Sequence, residues 1–173
     1  MNDAASYSAH ELLTDGCHVE IRALRPDDRP ALLEAIDRTS AQSLYRRFFG
    51  VRRGFTEQEM AFYLDIDFVS HVALVALVEE GGRPIIAGGG RYIVAEPGKA
   101  EVAFAVIDQF QRRGIGAALM GHLIVIARRA GLVQLVTEVL PDNIAMLKVF
   151  EKSGLGLTTK REPRVVHVSL QLV

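Results

Sequence analysis

A candidate anion site lies at Gln111-Arg112-Arg113-Gly114-Ile115-Gly116-Ala117. An alternating apolar run precedes this stretch and a long helical pattern follows it. The two glycines let the backbone turn closely, and a helix that begins there exposes its first N–H groups. Those donors and the positive end of the helix dipole attract an anion, most naturally a phosphate. The chain is therefore expected to hold a phosphate-bearing cofactor through its main chain.

Three kinds of phosphate loop sit at a strand-to-helix turn. A Walker loop needs Lys-Ser/Thr after its last glycine, and nothing here supplies that pair. A dinucleotide fingerprint needs Gly-x-Gly-x-x-Gly/Ala directly after a strand. Gly114 and Gly116 give two of its glycines, Leu119 takes the third place, and Glu138 stands where an acidic ribose ligand would. A plain tight turn is the bland alternative. The third loop, Gln-x-x-Gly-x-Gly/Ala before an amphipathic helix, matches in full, and the chain here resembles the acetyl-CoA site of the GNAT N-acetyltransferases. A second stretch, Asn143 to Leu155, is similar to the other GNAT signature, an Asn leading a helix that ends in Lys-x-Gly-hydrophobic. The strand order expected from about His18 to Val173 matches as well.

That resemblance implies a set of cofactor contacts. Main-chain amides of Arg112, Arg113, Gly114, Ile115, Gly116, Ala117 and Ala118 would cradle the coenzyme A diphosphate, with Gln111 shaping the loop. The main chain at Phe104 and Val106 would pair with the pantetheine arm like an added strand. Asn143 would hydrogen-bond near that arm. Phe150 stands where many family members carry a Tyr that protonates the departing thiolate, which leaves that proton's source open. The protein lysine acetyltransferase branch can also lack the Tyr. That branch carries a catalytic Glu before a similar Val-Ala-Phe-x-Val run, which implies Glu101 as the base. The segment Ser40 to Gly50 also resembles a Ser-x-x-Ser/Thr-x-x-x-Arg-Phe-Phe stretch of the same branch.

The chemistry asks little of the protein. A thioester is already an activated acyl donor, so a neutral amine attacks it directly. An alkyl amine has a pKa near ~10 and is mostly protonated at neutral pH, so a base must take its proton. Main-chain N–H groups suit the developing oxyanion. Glu101 shares a strand face with Ala103 and Ala105, whose small side chains leave space beside it; Val102, Phe104 and Val106 take the other face. The expected activity is acetyl transfer to a primary amine, preferably a protein lysine. The alternatives are acetylation of a small amine or amino acid, and a non-catalytic acyl-CoA-binding module.

These residues need a frame. Residues 1–16 are polar and unpatterned and read as a flexible tail, leaving 17–173 as a single domain. His18–Leu24 alternates as a first strand. Helices follow from Pro26, over Ser40–Phe49 with Gly50 as stop, and from Thr56-Glu57-Gln58-Glu59, which has capping-box spacing. His71–Glu79, Ile85–Val94 and Ala100–Ile107 form a meander, with Gly88-Gly89-Gly90 marking a bulge or a close approach. The longest helix spans Ile115–Ala130 and ends at Gly131. A buried strand, Leu132–Val139, precedes a helix from Pro141-Asp142 and two last strands, Leu155–Lys160 and Arg164–Leu172. The predicted fold is α/β of the α+β type: a GNAT-like, mostly antiparallel sheet of six to seven strands with helices on both faces.

Composition bounds the partners. Hydrophobic residues make up 49% of 173, enough for one substantial core and too many for a disordered chain. A net charge of −1 gives no footprint for nucleic acid, although Arg pairs recur at Arg46-Arg47, Arg52-Arg53, Arg112-Arg113 and Arg128-Arg129. The lone Cys17 excludes an internal disulfide, and the histidines lack ligand spacing, so no metal is expected. No signal-like start or apolar run long enough for a bilayer is present. A cytoplasmic monomer or homodimer without membrane contact is expected. Tyr45, Tyr63 and Tyr92 read as packing or rim residues, His71 as a satisfied strand-end residue and His122 as solvated.

Overall fold

Alternating and continuous apolar runs build one eight-stranded sheet, ordered β1-β2-β3-β4-β5-β6-β8-β7. The structure is a computed structural model that describes residues 3–48 and 55–173. The strands are β1 (Ser8–Leu12), β2 (His18–Ala23), β3 (His71–Glu80), β4 (Arg83–Glu96), β5 (Lys99–Val106), β6 (Gln134–Val139), β7 (Gly156–Arg161) and β8 (Val166–Gln171). The helices are α1 (Arg29–Asp37), α2 (Ala41–Phe48), α3 (Glu57–Leu64), α4 (Ile115–Arg129) and α5 (Ile144–Glu151). The predicted ends Phe49 and Gly50, and the pair Arg52-Arg53, lie outside the described residues.

Every described strand pair is antiparallel except β5–β6. The parallel pair follows from α4, which carries the chain back across the sheet. The sheet exceeds the expected six to seven strands by β1, which falls inside the stretch read as an unpatterned tail. Its exposed–intermediate alternation never reaches the core, so no hydrophobic pattern marks it. Main-chain pairing from Ser8↔Arg22 to Leu12↔His18 forms it instead.

Local chemistry sets the helix ends. Thr56 Oγ1 accepts from Glu59 N and Glu59 Oε1 accepts from Thr56 N, both at 3.1 Å, closing the predicted capping box. Gly131 stops α4 with φ +81°. The core gathers Ile21, Leu74, Val102, Leu119, Leu123 and Leu135, none more than 2% exposed. Its packing distinguishes the two sheet faces. Gly90 sits opposite Phe104, and both lie beneath Leu123 of α4. Arg91 sits opposite Ala103 on the reverse face and donates to the Tyr63 carbonyl of α3.

The triple glycine serves both expected purposes. The β3–β4 register shifts between Ala76 and Leu77, opposite Gly88 and Ile86. A Cβ on Gly90 would lie 2.7 and 2.8 Å from ring carbons of Phe104, whereas one on Gly89 would meet only the Leu74 carbonyl oxygen at 3.3 Å. Gly90→Ala is therefore expected to cost about 1–3 kcal/mol in urea unfolding, and Gly89→Ala clearly less.

His71 is one of the few buried polar residues, at 7% exposure. Its main-chain N–H donates to Asp67 Oδ1 at 2.9 Å, and its Nε2 lies 2.9 Å from Arg91 Nη1. Burial, and then the Arg91 charge, push its pKa down to about 4 against the opposing pull of Asp67. The unfolded chain takes up this proton near ~6.5. The His71 contribution is thus full above ~6.5 and is lost as pH falls toward 4, by up to about 3 kcal/mol. His71→Gln should flatten this part of the stability–pH curve between pH 7 and 4, measured as wild type minus variant. Parallel curves would contradict the assignment.

Candidate active site

The anion loop folds as its glycines require. β5 runs into a turn at Asp108–Phe110; Arg112 then takes φ +65° and Gly114 φ +94°, both left-handed, before α4 begins. The non-glycine Arg112 in that region is a local strain that the sequence did not announce. The first bond of the helical ladder runs from Ala118 N to the Gly114 carbonyl, at 3.0 Å. The amides of Ile115, Gly116 and Ala117 precede it, at the positive end of the dipole. A Cβ on Gly116 would meet Val149 Cγ2 at 3.7 Å, an ordinary contact. Protein packing alone thus tolerates a side chain there, and both residues line an open cleft of about 620 Å³.

Polar bonds tie the loop to α2. Asp108 accepts from the amide and hydroxyl of Ser40, both at 2.8 Å, and from the Ser43 hydroxyl at 3.0 Å. Gln111 Nε2 donates to the Val106 carbonyl at 2.9 Å and to Ser43 Oγ at 3.2 Å. The two serines of the Ser40 motif thus fix α2 against the turn that launches the loop. Sequence reasoning missed Asp108, because its partners lie 65 and 68 residues away.

A wedge opens between β5 and β6. Their parallel pairing runs from Lys99↔Gln134 to Glu101↔Val136 and stops, although the strands continue to Val106 and Val139. Ile107 N–H donates to Ala87 of β4, so strand alternation turns the main-chain groups of Val106 and Phe104 toward the wedge. The Val106 carbonyl is already taken by Gln111. Ala103, Phe104, Ala105 and Val106 line the cleft on this side, and Thr137 and Glu138 on the other.

The second signature forms the far wall. Asn143 caps α5, its Oδ1 accepting from Met146 N at 3.3 Å, and lines the cleft. Its amide nitrogen stays available for a ligand. Phe150 is 1% exposed and packs on Phe104 with ring centroids 6.1 Å apart. Arg112, Lys148 and Lys152 add cations along this wall. Arg113 points the other way, 4.0 Å from Asp15 of the β1–β2 turn.

Glu101 is exposed, on the expected face with Ala103 and Ala105, at the last paired step before the wedge. It is not a wall of the cleft itself; the carboxylate that lines the cleft is Glu138. The sequence placed Glu138 only as a possible ribose ligand. Arg91, opposite Ala103, also lines the cleft on that face. Burial, and then the Arg47 charge, lower its pKa to about 10, which leaves it cationic at neutral pH. Among the described residues no three His, Cys, Asp or Glu side chains form a metal-binding group, and no helix is long and apolar enough to cross a membrane.

His122 is not solvated as expected. Its Nδ1 meets the Tyr7 hydroxyl and its Nε2 lies 2.8 Å from Glu11 Oε1, so α4 holds the flanks of β1. Both partners lie more than 100 residues away, out of reach of local pattern.

Relatives share this fold. The chain matches the Acetyltransferase (GNAT) family over residues 38–155. It is 36% identical over 162 residues to an acetyltransferase of Pseudomonas aeruginosa, covering 91% of this chain and 86% of that one. The acetyltransferase Pat of Mycolicibacterium smegmatis is 35% identical over 136 residues, covering 78% of this chain. The chain spans only 40% of that relative's length. The GNAT domain of the S. lividans PAT superposes with a TM-score of 0.85 at 32% identity, covering 95% of this chain and 96% of that one. The free helix amides, the strand wedge and both signature segments occur together in a chain that belongs to the GNAT family of acetyltransferases.

Proposed function

We propose that this enzyme transfers the acetyl group of acetyl-CoA directly to a primary amine, with a protein lysine as the preferred acceptor. The observation that carries the reading is the wedge between β5 and β6, which leaves a strand edge unpaired beside the free amides of α4. Unpaired main-chain groups favour a partner that supplies hydrogen bonds. A ligand with a pyrophosphate at one end and amides along an extended arm satisfies both features. Family members draw on acetyl-CoA as donor.

In this reading the amides from Arg113 to Ala117 hold the pyrophosphate, helped by Arg112, Lys148 and Lys152; the Ala118 N–H, expected in the same cradle, is spent on the Gly114 carbonyl. The Phe104 main chain and the Val106 N–H pair with the arm, while Gln111 occupies the Val106 carbonyl and fixes the loop. The Asn143 amide nitrogen donates near the pantetheine arm. The bound thioester supplies an activated acyl group, so the protein needs no nucleophile of its own. Glu101 takes the amine proton, directly or through one water, since it stands at the closed end of the wedge rather than in the cleft wall. Phe150 packs against Phe104 and offers no proton, so the thiolate leaves unprotonated or takes a proton from water. The likeness to Pat and to the PAT domain supports a protein lysine as acceptor.

Glu101→Gln should lower turnover by about 10²–10⁴-fold and leave acetyl-CoA affinity within about threefold. Thiol release and calorimetry read the two effects separately. Turnover equal to wild type would remove Glu101 from the mechanism. Gln111→Ala frees the Val106 carbonyl and loosens the loop. It should weaken acetyl-CoA binding about 5- to 20-fold, in line with losing one or two hydrogen bonds.

A further inference from the structure

Arg91 is a cleft-lining charge that the acetyl-transfer reading leaves without a role. It stands in mid-strand, under α3, with no carboxylate partner among the described residues. Its contacts among the described residues all fall on Nη1, 2.9 Å from His71 Nε2 and 3.2 Å from the Tyr63 carbonyl. The Tyr63 ring lies 4.8 Å from Cζ and clamps the guanidinium plane. Both acceptors are neutral: one is a carbonyl, and buried His71 must keep Nε2 unprotonated to accept. Among the described residues the Nε and Nη2 hydrogens have no partner, and the residue lines the cleft. Those hydrogens form a planar fork spaced for two oxygens of one carboxylate.

The position of this fork relative to Glu101 matters. Arg91 faces Ala103 and Glu101 faces Ile93 on the same sheet face. Diagonal neighbours of this kind have Cβ atoms about 7–8 Å apart. Ala103 and Ile93 flank the line between them on this face, and the Ala103 side leaves the room. One end of this patch therefore suits an amine, and the other an anion. Arg47, whose charge acts on Arg91, and Arg46 of α2, itself 3.7 Å from Asp142, line the cleft as well. A partly buried guanidinium without a counter-charge costs the folded protein stability, and a bound carboxylate would offset that cost.

We infer that Arg91 is the receptor for a carboxylate carried by the acceptor a few ångströms from its reacting amine. This rests on the acetyltransferase reading above. The acceptor class is then a lysine beside an acidic residue, or a small amino acid with its own carboxylate. Arg91 is a specificity residue and takes no part in proton transfer. His71 and Tyr63 are positioning residues that hold its fork toward the cleft.

The test compares blocked Asp-Lys and Asn-Lys dipeptides, free lysine and lysinamide as acceptors. For wild type, kcat/KM should favour the carboxylate-bearing member of at least one pair by about 10- to 100-fold, mainly through KM. A preference in the dipeptide pair identifies a flanked protein lysine; one confined to the free pair identifies a small amino acid. Arg91→Lys and Arg91→Gln should bring the ratio within about twofold and leave kcat for the Asn-Lys dipeptide nearly unchanged. Arginine side-chain NMR gives a readout without turnover: the Nε–H signal lost in Arg91→Lys should move on adding Asp-Lys or free lysine, and not on adding Asn-Lys or lysinamide. Ratios near one and an unmoved Arg91 signal, in an enzyme that still acetylates amines, overturn the inference and leave the acetyltransferase reading standing. Turnover absent with every amine overturns that reading instead, and the Arg91 signal then decides the inference alone.

Discussion

Two strands that stop pairing while still extended govern this molecule. β5 and β6 bond through Glu101 and Val136 and then part, exposing main-chain groups that a closed sheet would have satisfied. The same parting sets the N-terminus of α4 at the head of the gap. Backbone donors and acceptors held away from partners cost free energy, and few folds keep them without use. Here they line one continuous groove. The proposed recognition of coenzyme A follows from this economy, since the ligand's amides and phosphates replace bonds that the sheet gave up.

The rest of the fold keeps that groove rigid. Asp108 and Gln111 bind α2 to the turn before the loop, so the loop cannot open without breaking several polar contacts. Phe104 packs between Gly90 and Phe150, which fixes the strand edge from below. His122 ties α4 to the residues around β1. Catalytic geometry tolerates little looseness, and these ties come from elements distant in sequence.

The sheet's two faces divide the labour. Above Phe104 and Gly90, α4 covers an apolar surface. The reverse face carries Glu101, Arg91 and the flanking arginines of α2, and is polar where the proposed acceptor enters. This division was legible in part. Strand alternation placed Glu101 beside Ala103 and Ala105, and glycine spacing marked both the loop and the close approach at Gly90. The edge strand β1 was not legible, because an exposed strand held by main-chain bonds leaves no hydrophobic signature. Asp108, Arg91 and His122 were missed for another reason: each owes its role to partners at least 20 residues away, which local pattern does not encode. Glu138 was seen, but the wedge that sets it in the cleft wall appears only in three dimensions.

The most direct test of the central claim is a crystal structure of this protein with acetyl-CoA bound. The account requires the pyrophosphate on the amides from Arg113 to Ala117, the arm alongside Phe104 and Val106, and the thioester in the wedge on the Glu101 side. A cofactor lodged elsewhere, or a wedge closed by side chains with the loop amides turned to water, would contradict it.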